Sequence, residues 1–363
     1  MNKLYEMKNY VILHARTLSI QRKVSDLLLS INSLSDDSSS SWGNVFWKEA
    51  KHSEGNGNYK EALGLYNIAR FPYPDTTIQH RSYNEYISLF KNIYINPHKL
   101  EDKITSNGAQ RFYIKYGKTK DVVIICGGII SLKEQWVNAL SILHSLGLTV
   151  ILTEMPSVGE NSISFNAESF SMFSDILNSI DFPVGKRCHL LAMSFSGYIA
   201  LKNSCTDNRI NSITMVGAPI YDIYHNVKLF QNLPRITKDI LINNINNNSH
   251  KKISTDDELF YFMNSEFTSV NKIREDLRIF YLQSKYDEVI PSTETTHLKD
   301  KCSFFNNLCL PDVHGSPNYH KTVVFYIIWS VLKSMNKNAL TRILLIAMIS
   351  ISKLIYRFKN IKN

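Results

Sequence analysis

"HLLAMSFSGYIAL" occupies residues 189 to 201, an apolar run that arrives at Ser194 and leaves through a cluster of small residues. A run apolar on every position suits a strand covered on both faces, and the small residues that follow open a helix. Ser194 therefore stands on a strand-to-helix turn, with Ala192, Ser196 and Gly197 as the small neighbours that so sharp a turn needs. Two readings of the serine are open at this point. It is an exposed nucleophile on a strained elbow, or it caps the helix that follows.

Four more runs share this texture: "VVIIC" (122–126), "LTVILT" (148–153), "SITMVG" (212–217) and "LRIFYLQ" (277–283). Helical stretches separate them, which predicts an α/β domain over 111–335 built on a mostly parallel, doubly wound sheet. Residues 1–110 read as a helical cap-type region. A polar break, "SLSDDSSSSWGN" (33–44), marks a loop or frayed linker there. Two helices split by "EGNGN" follow, with Trp47, Ala62, Leu63, Leu65, Tyr66 and Ala69 as the buried stripe, then another over about 81–93. Residues 228–275, between the fourth and fifth strands, suit a lid insertion, while their polar segment "NNINNNSHKK" (243–252) reads equally as a mobile surface loop.

A chain of 363 residues that is 44% hydrophobic and 20% charged can bury a sizeable core. The net charge of +9 is spread over the chain with no basic run interleaved with aromatics, which argues against a nucleic-acid partner. Cys126, Cys188, Cys205, Cys302 and Cys309 form no C-x-x-C pair and no metal pattern. They read as reduced, packed thiols, and with no signal-peptide pattern at residues 1–18 the expectation is a cytoplasmic protein without metal or cofactor. Residues 336–363 form an apolar, basic helix. About ten uncharged residues lie between Arg342 and Lys353, against about 20 needed to cross a bilayer. A helix packed on the protein, a homodimer contact, and a peripheral membrane anchor with Arg357, Lys359 and Lys362 at the headgroups all stay open.

Chemistry in such a sheet gathers where the strands end. A serine hydroxyl attacks only if a histidine takes its proton and a carboxylate orients that histidine; in this fold the chain order is serine, acid, histidine. "QSKYDEVIP" offers Asp287 and "NNLCLPDVHGSPN" offers His314, in that order and both in loops. Glu288 and Asp222 are rival acids and His320 a rival base, while His144 and His189 suit packing roles. Donors for an oxyanion would be the amide of Phe195 and that of Gly128 or Ile129, in "VVIICGGIISLKEQW". Ser131 with Glu134 is expected to form a capping box for a helix ending at Gly147.

Taken in order, "CGGIISLKEQW", "EMPSVGE", "AMSFSGY", "GAPI" and "SKYDEVIP" resemble the motifs of the FrsA-like esterases and of dihydroxypseudooxynicotine hydrolase-like proteins. The resemblance extends back to "EGNGNYKEALGLYNIARFPYP" and spans roughly residues 45–335. It departs at Ile130, where many members carry an acid, and at Glu154, Ser157, Ala192 and Ser196. The resemblance implies an α/β-hydrolase fold and a serine hydrolase acting on a small acyl or ketone substrate: an ester, a thioester, or a ketone cleaved at a C–C bond, in specialised metabolism. Acyl transfer by the same groups, and a hydrolase-fold binding protein without catalysis, are the alternatives. The substrate would lie between the sheet's carboxyl edge and residues 1–110, where Trp136, Phe165, Tyr198 and Tyr221 are either lining aromatics or core.

Overall fold

The computed structural model describes residues 3–18, 20–95, 100–119, 121–183, 185–248, 252–270 and 272–361. The chain divides into two compact units, Met1–Leu100 with Arg235–Ile240, and Glu101–Pro234 with Leu241–Asn363.

The first unit is helical, with helices Lys3–Thr17, Gln21–Ser30, Trp42–Gly55, Tyr59–Ala69 and Thr77–Tyr94. Local chemistry sets their starts. Ser41 accepts from the Asn44 amide, and Thr76 with Gln79 makes a reciprocal capping box. Trp42, Phe46, Ala50, Leu65 and Tyr66 are buried, and Trp42 Nε1 donates to the Ile68 carbonyl at 2.9 Å. Trp47 and Leu63, expected in this stripe, are only half-buried; the Arg81 guanidinium lies 4.3 Å from the Trp47 ring instead. The polar break at 33–44 is an ordered turn. Asp36 accepts from the Ile78 amide at 3.0 Å, and the Asn44 side chain donates to the Asp36 and Ser38 carbonyls.

The second unit is built on eight strands: β1 Glu101–Ile104, β2 Arg111–Lys115, β3 Val122–Cys126, β4 Thr149–Thr153, β5 Cys188–Met193, β6 Ile210–Val216, β7 Arg278–Ser284 and β8 Phe304–Leu310. Their order is β1-β2-β4-β3-β5-β6-β7-β8; β1 and β2 are antiparallel additions and the six from β4 to β8 run parallel. Every residue of β3 and β4 is buried. That explains their unbroken Val, Ile and Leu composition, because each fully buried aliphatic side chain contributes roughly 1.5–3 kcal/mol.

From β3 the chain returns through the helix Val137–Ser145 to β4, and from β5 through Ser196–Thr206 to β6, on opposite sides of the β3–β5 pair. The strand order reverses there, and the carboxyl ends of β3 and β5 are where a doubly wound sheet gathers its site. The described part of 228–275 carries the helices Arg235–Asn247 and Asp256–Glu266; residues 249–251 of the expected polar loop, and 271, lie outside the described residues. His189 on β5 is buried with both ring nitrogens satisfied, by Ser212 and Ser334 at Nδ1 and Thr214 at Nε2. Burial pushes its pKa down to about 3, so it is a neutral packing residue.

Candidate active site

The β5 strand delivers Ser194 into a left-handed conformation, φ 54°. A non-glycine residue is strained there, and strain of this kind persists only where the surroundings impose it. They do. The Ser194 amide donates to the Val216 carbonyl at 2.8 Å, and the Gly197 amide closes back on the Ser194 carbonyl at 2.9 Å. A Cβ on Gly197 would meet Ala218 Cβ at 2.3 Å, so only glycine fits that position. Ser196, standing where the related motif has glycine, uses its hydroxyl to contact the Cys126 and Met193 carbonyls at 3.1 and 2.9 Å. The capping reading of Ser194 is not realised: the residue before the Ser196–Thr206 helix is Phe195, without a side-chain cap.

Ser194 Oγ lies 3.0 Å from His314 Nε2. On the other side of the ring, Nδ1 is 2.9 Å from both Asp287 oxygens. A buried carboxylate at Nδ1 fixes that nitrogen as the N–H donor and leaves Nε2 to accept the serine proton. Asp287, its side chain only 2% exposed, is itself aimed by the amides of Val289 and Ile290 at 2.9 and 2.8 Å. Burial pushes His314 toward the neutral ring, but the charge and hydrogen bond of Asp287, helped by Glu288, outweigh it and raise its pKa above the ordinary value. Each partner comes from a different strand end, β5, β7 and β8.

The rivals have other partners. Glu288 accepts from the His314 main-chain amide at 3.1 Å. Asp222 pairs with His297 Nε2 at 2.7 Å and with the Thr293 hydroxyl. His320 opens the helix His320–Ser334, where burial lowers its pKa. Tyr198 and Phe165 belong to an aromatic cluster with Phe170, Tyr224 and Phe267, hence to the core.

On the β3 side, Gly128 runs so close to the elbow that an added Cβ would be 3.1 Å from Ser194 Cβ. This is the main-chain approach expected of an oxyanion loop, with Ile129 and Phe195 flanking it. The Ile129 carbonyl is held by the buried Asn244 side chain at 2.8 Å. Sequence reading missed Asn244.

The expected Ser131–Glu134 capping box does not form. The helical turn at Lys133–Trp136 follows Leu132, which caps nothing with its side chain, and Glu134 is buried and ion-paired with Lys133 at 3.0 Å. Lys133 also reaches Glu154 at 3.3 Å and Glu160 at 2.6 Å, under the Tyr113 ring at 4.9 Å. Burial opposes its charge, but the surrounding carboxylates win and raise its pKa. Burial likewise lifts Glu154 to about 7. The motif residues after β3 and β4 thus form a buried ionic knot that shapes the two loops; a Cβ on Gly159 would collide with Glu154 at 2.3 Å.

Two further supports gave no sequence signal. Gly217, φ 54°, lies against the pair, since a Cβ there would be 3.1 Å from His314 Cε1 and 3.3 Å from Asp287 Oδ2. The buried Glu294 gathers the amides of Ile220, Tyr221, Asp222 and Ile223 at 2.6–3.2 Å, fixing the loop after β6. Among the described residues no cluster of three or more His, Cys, Asp or Glu could hold a metal.

Residues 42–295 match the family profile described as Esterase FrsA-like, most of the chain. The chain belongs to the FrsA-like esterase family. The matched stretch contains Ser194 and Asp287 and stops before His314. Esterase FrsA of Vibrio vulnificus is 28% identical over 130 residues, 34% of this chain and 31% of that protein, so the match spans about a third of the relative's length. Among solved structures, wild-type AbyA5 superposes with a TM-score of 0.85 at 24% identity, over 96% of this chain and 99% of that one. The 2,6-dihydroxy-pseudo-oxynicotine hydrolase gives 0.63 at 14% identity, over 80% and 88%. At these identities the likeness speaks for fold, and this FrsA-like chain has the α/β-hydrolase fold.

Proposed function

We propose that this FrsA-like chain is a serine hydrolase in which Ser194 is the nucleophile, His314 the general base and acid, and Asp287 the orienting carboxylate. The observation that carries the reading is the continuous hydrogen-bonded line from Ser194 Oγ to His314 Nε2 at 3.0 Å and from Nδ1 to Asp287 at 2.9 Å, mounted on a strained elbow. As Oγ attacks a substrate carbonyl, its proton passes to Nε2 and the carbonyl electron pair moves to oxygen, facing the amides of Phe195 and of Gly128 or Ile129. Collapse of that oxyanion expels the leaving group, which takes the proton from Nε2 and leaves an acyl ester on Ser194. Water then repeats the sequence and frees the acid.

A carboxyl ester or thioester is the substrate class we favour. Cleaving a C–C bond needs a leaving carbanion to be stabilised or protonated, and the buried Ile130 beside the glycines offers neither charge nor proton. The decisive experiment pairs a fluorophosphonate probe with a panel of p-nitrophenyl and thioester substrates. Wild type should label and turn over, and Ser194→Ala should do neither, with a loss on the order of 10⁶ in kcat at unchanged thermal stability. A folded wild-type chain that neither labels nor turns over any of them would make it a binding protein.

A further inference from the structure

We propose that the helix Ala339–Ile361 seats this protein on an anionic lipid surface, lying in the plane of the bilayer. The helix packs on the helix His320–Ser334 through a narrow stripe in which Leu345 and Ser352 are buried. Ser352 Oγ meets Thr322 Oγ1 at 2.8 Å, and the Tyr356 ring lies 4.8 Å from that of Tyr319. Its apolar face points the other way. Leu340 is 72% exposed, Ile343 64% and Ile351 56%, and Leu344, Met348 and Leu354 continue the same surface. A surface helix ordinarily turns its apolar side inward, and a contiguous exposed patch of this kind marks a contact with something apolar.

Charge selects the partner. Residues 313–363 carry eight Lys and Arg, one of them (Lys337) ion-paired with Asp121 at 2.7 Å, and no Asp or Glu, against a net charge of +9 for the whole chain, so the preceding 312 residues are close to neutral. Two copies joined through this helix would press two acid-free, basic segments together. A bilayer with anionic headgroups complements both the apolar face and the charge.

Geometry sets the orientation. The window Ala339–Tyr356 is long and apolar enough by length and composition to cross a membrane, and only 11% of it is buried. Yet Arg342 and Lys353 interrupt it, and the ten residues between them rise about 15 Å, half of the roughly 30 Å hydrocarbon core. The Thr322 and Tyr319 contacts hold the helix along the domain, so it lies flat. The side chains of Arg357 and Lys359, and all of Lys362, lie outside the described residues; their charges enter from the sequence alone.

Flotation of the full chain with vesicles tests this. Vesicles of phosphatidylcholine containing about one-third phosphatidylglycerol should carry the protein upward, and phosphatidylcholine alone should not. Raising the salt should weaken the association severalfold. Leu344→Glu with Ile351→Glu should cut the bound fraction roughly tenfold or more while leaving circular dichroism and the thermal melt unchanged. If the double variant fails to fold, Ile343→Ser alone should lower binding in the same direction. Absence of flotation on anionic vesicles, or equal flotation on neutral ones, overturns the proposal. So does a dimer that these substitutions dissolve in a chain that never floats, which would assign the face to a second copy. None of these readouts depends on turnover, so the proposal stands or falls apart from the hydrolase reading.

Discussion

The Ser196 hydroxyl lies 3.1 Å from the carbonyl oxygen of Cys126, so the turn that presents the nucleophile is fastened to the end of the strand that presents the glycine loop. In this chain the residue replacing the motif glycine is a tie between β3 and β5. Ser196→Gly restores the motif but removes that hydrogen bond and adds backbone freedom at the start of a helix. It should lower stability by about 1–2 kcal/mol in urea titrations, with the family glycine giving no gain in activity.

A methyl group on Gly217 would crowd the His314–Asp287 pair. Gly217→Ala would place a carbon 3.1 Å from His314 Cε1 in a left-handed conformation. The backbone strain costs about 1–2 kcal/mol, and the displaced imidazole should cost on the order of 100-fold in kcat. Steady-state kinetics beside a thermal melt separates the two effects. A kcat equal to wild type would show that the imidazole does not depend on this contact.

In the proposed mechanism His314 must be neutral to accept a proton, and its pKa is raised above 6.5 in the folded chain. Activity should therefore fall on the acid side through a midpoint above 6.5. Asp287→Asn removes the charge that raises it, leaving burial to act in the opposite direction, so the midpoint should move down as kcat drops about 10⁴-fold. Stability follows the same linkage. The contribution of the His314–Asp287 pair is fully present below pH 6.5 and is lost as pH rises through the folded-state value.

Lys133 is the buried cation that meets Glu134, Glu154 and Glu160, of which Glu160 also has Arg111 at 3.7 Å. Lys133→Met should cost about 3–5 kcal/mol, because it leaves buried carboxylates without a counter-charge. Part of that loss should return as the pH is lowered and the cluster takes up protons. A urea series at neutral and acid pH measures both; a deficit independent of pH would point to packing instead.

The five strands β3 to β7 were legible because a strand buried on both faces is written in consecutive apolar residues. The others were not. Glu101–Ile104 is short and mostly charged, Arg111–Lys115 is short with a charge at each end, and Phe304–Leu310 carries Asn306 and Asn307 because that edge faces solvent. That Ser194, Asp287 and His314 meet in space could be expected because the proposed proton transfer needs those residue types at strand ends in that order. Glu134 could not, since an acid three residues after a serine looks the same in sequence whether it caps a helix or pairs with a buried lysine. Gly217 and Glu294 serve through space, against residues distant in the chain, and no local pattern announces them.

His314 follows β8, an outermost strand whose residues, apart from Leu310, are partly or wholly exposed. It is fixed by Asp287 and by a few anchors such as Lys285 to Leu310 and Tyr286 to Asp312. Ser194, by contrast, rises from the middle of the sheet. If His314 is the proton acceptor as proposed, that acceptor hangs on a border that can fray while the interior keeps its shape, and mild heating should silence the chemistry well before the protein as a whole comes apart.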